Sequence, residues 1–490
     1  MWKALALVAL ALVLALGLVW EFSSQSDPPQ PAISQENQID LTPWRARAEA
    51  GDSEAQLRLG QILFYGQGAP KNPAEARKWL QMAATQGLGP AQSLLGLSLK
   101  LGQGGEKDLA EAVKWFRLAA DNGDAEAQFY LGQAFYHGEG LDENKAEALK
   151  WLRLAAGQGL PKAQIFVGDC YQEGQGAPQD PAEAVKWYRL AAEAGDPKGQ
   201  LNLGLAYENG LGAPKDPVEA ARWFFQAASA GHSTAQTYYA CALMEGEGVE
   251  QDKPSALLWY LKAAAAGEID AQYNLGLAYA EGHGAPPDPN ESFQWLLMAA
   301  NHGHALAQTK VAESYSRKNE PEEATRWYRL AAARGSVEAQ RELARALELG
   351  LGAEPDKIEA LIWYRRSAEA GDALAQSYLA ALLAQGTPSE KDEAFNWYRL
   401  AAENGQTEAQ LALAEAYASG QGLPLDPQAA FFWYRLAAER DHPLAQYQMG
   451  LAYELGHGPA PDLDEAIRWY QKAAAQGQAE AKKRLRDLNS

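Results

Sequence analysis

Thirteen of the fifteen tryptophans in this 490-residue chain recur at a nearly fixed interval. Trp79, Trp115, Trp151, Trp187, Trp223, Trp259 and Trp295 stand 36 residues apart. Trp327, Trp363, Trp397, Trp433 and Trp469 continue the series, and Trp44 precedes it one residue out of register. A period between about 20 and 50 residues means that one supersecondary unit is copied and stacked. One copy cannot bury its own apolar face, so its neighbours complete the core. Length alone would suggest several globular domains. The period replaces them with one elongated array.

The copy around Trp223 shows the unit. From about Pro197 to Asn209, small and apolar residues recur at helical spacing. Gly210-x-Gly212 then ends the helix, because glycine enters the left-handed conformation at little cost. Asp216-Pro217 starts the next helix: the carboxylate caps free N–H groups and proline fits the first helical turn. That helix runs through Trp223 to Ala230, and Gly231 stops it. The same start recurs at Asn72-Pro73, Asp180-Pro181, Asp288-Pro289 and Asp426-Pro427. Gly60, Gly96, Gly132, Gly168, Gly204, Gly276 and Gly450, with alanine at 240, 312, 344, 380 and 414, mark a close helix–helix approach. The tryptophans are expected to fill the gaps between units as the structural core of the repeat.

These residues resemble the Sel-one-like repeat, a relative of the tetratricopeptide repeat. Ala271-Gln272, Leu275-Gly276, Tyr279, Gly282-x-Gly284, Asp288, Trp295 and Ala299-Ala300 meet its pattern. The resemblance covers about residues 47–490 and recurs twelve times. It implies an all-α fold, an α/α superhelical solenoid of about twelve tandem helix–loop–helix repeats. The job it implies is that of an adaptor or scaffold, with no single chemistry. The copy at Trp327 has lost its Gly-x-Gly loop, over Tyr315 to Pro321, and the copy at Trp397 is shortened at Gln385 to Pro388. Length changes in repeats fall in loops, so the helices are expected to persist. This divides the chain into a regular array, 42–305, and a less regular one, 306–490, that ends in a polar capping helix.

Ahead of the array, Met1-Trp2-Lys3 precedes an unbroken apolar run from Ala4 to Trp20. Residues 1–21 read either as a membrane anchor or as a cleaved signal peptide, since the run is near the lower limit for crossing a bilayer. Both readings place the solenoid outside the cytoplasm, in a bacterial periplasm or secreted. Residues 22–41, rich in Pro, Ser and Gln, are expected to be a disordered linker.

A formal charge of −20 excludes nucleic acid as a partner, because phosphate must be neutralised by Lys and Arg. The two cysteines, Cys170 and Cys241, lie two units apart, too far to bridge. No nucleophile elbow, zinc-protease or P-loop motif occurs. The Gly-x-Gly stretches follow helices rather than strands, so they are turns and not phosphate loops. His283, His302 and His304 fall at opposite ends of a helix and make no metal site. Neither cofactor nor catalytic residue is expected.

Specificity should instead sit where the pattern varies. In solenoids related to this one the first helices line the concave face, and positions three apart share a side of a helix. Tyr130 and Gln133, Phe166 and Asp169, Asn202, Tyr238 and Asn274 occupy that row, with Tyr136 one turn on from Gln133. They are the candidate partner-binding residues, for aromatic side chains are favoured anchors. The competing role for the rings is packing against neighbouring helices. The expected function is a non-enzymatic, exported and membrane-tethered scaffold that binds a protein or peptide in its groove. The alternatives are a receptor or weak enzyme for cell-wall-related small molecules, or a regulatory membrane adaptor facing the cytosol.

Overall fold

The computed structural model describes residues 39–488. The apolar run and the rest of the segment up to residue 38 lie outside them. Among the described residues there are 26 α-helices, from Thr42–Glu49 to Ala479–Leu488, and no strand. No helix among them is long and apolar enough to cross a membrane. The helices form two compact units, one up to Asp288 and one from Pro289.

Local chemistry sets the helix ends as the sequence dictates. Asp196 starts Pro197–Asn209 by accepting from the N–H groups of Lys198 and Gly199 at 2.9 and 3.0 Å. Gly210, at φ +68°, ends it. Asp216 caps Pro217–Ser229 in the same way. Asp108, Asn144, Asp356 and Asp462 cap their helices without a following proline. The expected linker is ordered at its last residues: the Ile39 N–H donates to the Gly68 carbonyl at 2.7 Å.

The core is not centred on the tryptophans. Trp223, Trp295 and Trp327 are buried, whereas Trp79, Trp115, Trp151, Trp187, Trp259, Trp363, Trp397, Trp433 and Trp469 are half-buried. They lie at the seams: Trp115, Trp151, Trp187 and Trp433 each pack against the core of the preceding repeat. In most repeats the residue after the tryptophan lies deeper, and Leu80, Leu152, Tyr364 and Tyr470 are 0 % exposed there. This residue explains the small positions of the first helices. A methyl group on Gly96 would stand 2.6 Å from the Phe116 ring, and one on Gly168 2.4 Å from the Tyr188 ring.

Two polar and steric devices join consecutive repeats. The glutamine in the first turn of each repeat's first helix, such as Gln56 or Gln308, is buried. Its amide donates to the carbonyl eight residues earlier, at the end of the preceding helix: Gln56 to Ala48 and Gln308 to Ala300, both at 2.9 Å. Each of these carbonyls also accepts a backbone N–H from the turn that follows, Gly51 to Ala48 at 3.1 Å and Gly303 to Ala300 at 3.0 Å, so the glutamine is a second donor that ties the helix end to the next repeat. The second device is the later glycine of most Gly-x-Gly loops; at Gly68 and Gly422 an added methyl group would meet the Ile39 and Phe395 side chains instead. A methyl group on Gly212 would lie 2.0 Å from the Pro181 carbonyl oxygen of the preceding repeat, and one on Gly140 2.3 Å from that of Leu109. The loop is thus a backbone-to-backbone clamp as well as a helix stop.

Both shortened repeats keep their helices. Asn319, at φ +60°, replaces the missing glycines between Ala305–Arg317 and Pro321–Ala333. In the other, the first helix contracts to Ala373–Leu383 and the second extends to Pro388–Glu403, started by a Thr387/Glu390 capping box. At the C-terminal end, Arg484 of Ala479–Leu488 pairs with Glu454, which also accepts from the Tyr470 hydroxyl at 2.7 Å. Arg486 is exposed.

Candidate binding face

The first helices of consecutive repeats touch one another in the unit up to Asp288: Ser53–Tyr65 meets Gly89–Leu101, which meets Ala125–His137. Their outward side chains form a continuous face. Tyr130 is half-buried on it, stacked on the Phe116 ring with centroids 5.2 Å apart and planes at 26°. Phe129 meets Tyr130 at 5.5 Å and Phe166 at 6.3 Å, both edge-on. Phe166 then meets Tyr136 at 5.0 Å. Three of the candidate aromatics therefore belong to one cluster spanning two repeats, with Gln133 half-buried on the same helix. Each ring keeps part of its surface in water, so packing and exposure coexist in the same side chains.

The other candidates are engaged between repeats. Asp169 accepts from the Tyr188 hydroxyl at 2.8 Å and from Asn202 at 3.4 Å. Asn274 donates to the Cys241 sulfur at 3.8 Å, and the Tyr260 hydroxyl donates to it at 3.1 Å. Tyr238 stacks on Phe224 at 5.1 Å, two repeats away from the main cluster. Asp169, Asn202 and Asn274 thus satisfy neighbours within the array, and the residues free to act as anchors are the aromatics.

A cavity of about 280 Å³ opens beside Tyr130 on the same face. Leu94 and Leu97 give it an apolar wall, while Gln61, Tyr65, Glu126 and Lys162 supply its polar groups. The Lys162 ammonium pairs with Glu126 and lies 4.6 and 4.7 Å from the centroids of the Phe129 and Tyr130 rings. Cation–π attraction fixes these rings and the lysine together. Tyr65 is 52 % exposed at the rim. Lys162 comes from the first turn of the helix Pro161–Glu173, reaching back over the preceding repeat. Its helix-start position gave no sign of this. Tyr65 was more accessible to sequence reasoning, being aromatic where other copies end the helix with His137, Glu173 or Asn209.

Burial shifts two titratable groups beside this face. Burial, helped by the Asp169 and Glu173 charges, pushes the Cys170 thiol up to about 12. It stays protonated and unreactive at neutral pH. Burial and then the Asp169 charge raise Tyr188 well above the usual phenol range. Cys170 and Cys241 are both free thiols. Among the described residues no group of three or more His, Cys, Asp or Glu side chains could hold a metal ion.

The family model of the Sel1 repeat matches twelve consecutive segments without a gap, from 53–88 to 443–478. The chain belongs to the Sel1 repeat family. Its matched segments include the shortened copies 305–336 and 373–406. The chain is 32 % identical to the protein c5321, described as a protective antigen of uropathogenic Escherichia coli with this repeat fold. That match covers 92 % of this chain and 90 % of the other, at a TM-score of 0.61. A Sel1 repeat protein from Oxalobacter formigenes is 28 % identical over 73 % of this chain and 98 % of its own, at a TM-score of 0.50. No curated protein matches the chain. As a Sel1 repeat array, the molecule is a scaffold of the protein-interaction type.

Proposed function

We propose that this Sel1 repeat protein holds an extended protein or peptide segment against the first-helix face of its 39–288 unit. The Tyr130–Phe166 cluster and the neighbouring cavity are the anchoring site. The observation that carries this reading is that these rings are part-exposed yet already fixed, by stacking on Phe116 and by Lys162. A rigid aromatic loses little freedom on binding, so its contact area converts efficiently into affinity. The paired Lys162 and Glu126 at the cavity add polar groups that can fix the register of a bound backbone. The test is recovery of partners from an envelope extract by the full chain, set beside a Tyr65→Ala/Lys162→Ala double variant. These positions lie at the rim, so the fold is retained. Loss of specific partners supports the site, and equal recovery by both proteins refutes it.

We also propose that the array works outside the cytoplasm, tethered by residues 1–21. The Lys3 charge before an apolar run ending at Trp20 supports this orientation, as does the description of a relative as a protective antigen. A topology reporter fused after Ser490 reads extracytoplasmic if this is right and cytosolic if the chain is an inward-facing adaptor.

A further inference from the structure

The repeats Thr407–Ser419/Pro427–Glu439 and Pro197–Asn209/Pro217–Ser229 align residue for residue. At one address in this alignment they differ sharply. In the earlier copy, the space between the second helix and the next first helix is about 60 Å³, and Glu208, Lys215, Glu245 and Glu247 line it. In the later copy the corresponding cavity is about 460 Å³. Its corresponding residues are Ala418, Leu425, Leu455 and His457. Four charged side chains have given way to three apolar ones and an imidazole.

The enlargement has a visible cause. Where the earlier copy has Ala221, the later has Phe431, whose ring stands edge-on to Tyr453 at 5.5 Å. Phe431 wedges the glycine clamp open. A methyl group on Gly248 would lie 1.9 Å from the Pro217 carbonyl oxygen, but one on Gly458 lies 3.1 Å from that of Pro427 and 2.7 Å from Phe431 Cβ. Leu425 and Leu455, 66 % and 53 % exposed, flank the opening. A volume of this size lies in the range of about 300–1,000 Å³ typical of small-molecule clefts. Tyr434, Gln448 and His457 contribute hydrogen-bonding groups to an otherwise apolar lining, and no carboxylate is among the lining residues.

We propose that this cavity binds an amphiphile with an apolar tail and a single carboxylate head, the tail between Phe431 and Leu451 and the head at His457. The probe is decanoate, below its micelle concentration, titrated into the full chain by calorimetry at neutral pH. One saturable site is expected. Leu455→Glu restores a carboxylate of the closed copy at an exposed position and should weaken decanoate binding by about tenfold or more, because the new charge repels the head and faces the tail. Phe431→Ala, which removes the wedge, should weaken it as well. Decyltrimethylammonium, with a cationic head, should bind about tenfold more weakly than decanoate. Absence of saturable binding overturns the proposal. So does unchanged affinity in Leu455→Glu, or equal affinity for the cationic amphiphile.

Discussion

Replacing Gly212 by alanine separates the two jobs assigned to the loop glycines. Gly212 has φ +76°, and an added methyl group would meet the Pro181 carbonyl oxygen at 2.0 Å and the Ala182 nitrogen at 2.8 Å. Gly231 has φ +91° and open space around the same position. Left-handed backbone costs a non-glycine residue about 1–2 kcal/mol, and both variants incur it. Only Gly212→Ala also drives a side chain into the backbone of another repeat. The atoms there are main-chain, so relief requires the seam itself to open, an overpacking cost of about 1–3 kcal/mol more. Hydrogen exchange read by mass spectrometry gives the local opening equilibrium at each seam. Peptides spanning 181–193 and 197–212 should exchange about five-fold faster or more in Gly212→Ala than in Gly231→Ala. Equal protection in the two variants would refute the clamp and return the glycine to a simple helix stop.

The glutamine staple predicts that Gln308→Leu destabilises the protein by about 0.5–1.5 kcal/mol in urea unfolding, because the Ala300 carbonyl loses the amide and keeps only the Gly303 N–H. An unchanged midpoint would mean that water replaces the amide. Tyr364→Ala should cost about 3–5 kcal/mol and exceed Trp363→Ala, since Tyr364 is 0 % exposed and Trp363 only half-buried. The opposite ranking in denaturant would restore the tryptophans to the centre of the core. At the C-terminal end, the Arg484 hydrogen bond holds the Glu454 carboxyl below its ordinary value of 4.5. A depressed carboxylate stabilises the folded state above that value, and the contribution is lost as pH falls through the folded pKa. Exchange in 479–488, corrected for intrinsic rates, should therefore accelerate in acid, and Glu454→Gln should remove most of that pH dependence.

The helix pairs, their caps and the survival of helices in the shortened copies were legible because each rests on local chemistry with a short-range signature. Asp216-Pro217 announces a helix start, and the register of Trp79 to Trp295 announces stacking. The division of labour within the core was not legible. Trp79 and Leu80 are neighbours in the chain, and only the packing of the next repeat decides which one lies deeper. The buried Ala-Gln glutamines carried a signal in their recurrence, but a polar residue repeated inside an apolar pattern does not name its acceptor. On the first-helix face, Tyr130, Tyr136 and Phe166 were found together because spacing by turns and repeats brings them together. Asp169, Asn202 and Asn274 share that spacing but turn out to bond within the array. Lys162 was invisible because its reach depends on how one repeat sits on the last.

Photo-crosslinking tests the account's central claim most directly. Benzoylphenylalanine placed at Tyr65 or Gln133 sits on the first-helix face, and at Lys114 it sits on the second helix Leu109–Asp121, where the native side chain is 72 % exposed. Irradiation of cells carrying the full chain should yield discrete protein adducts from Tyr65 and Gln133 and none from Lys114. Adducts of equal yield from Lys114, or none from the first-helix positions, would contradict the assignment of partner binding to that face.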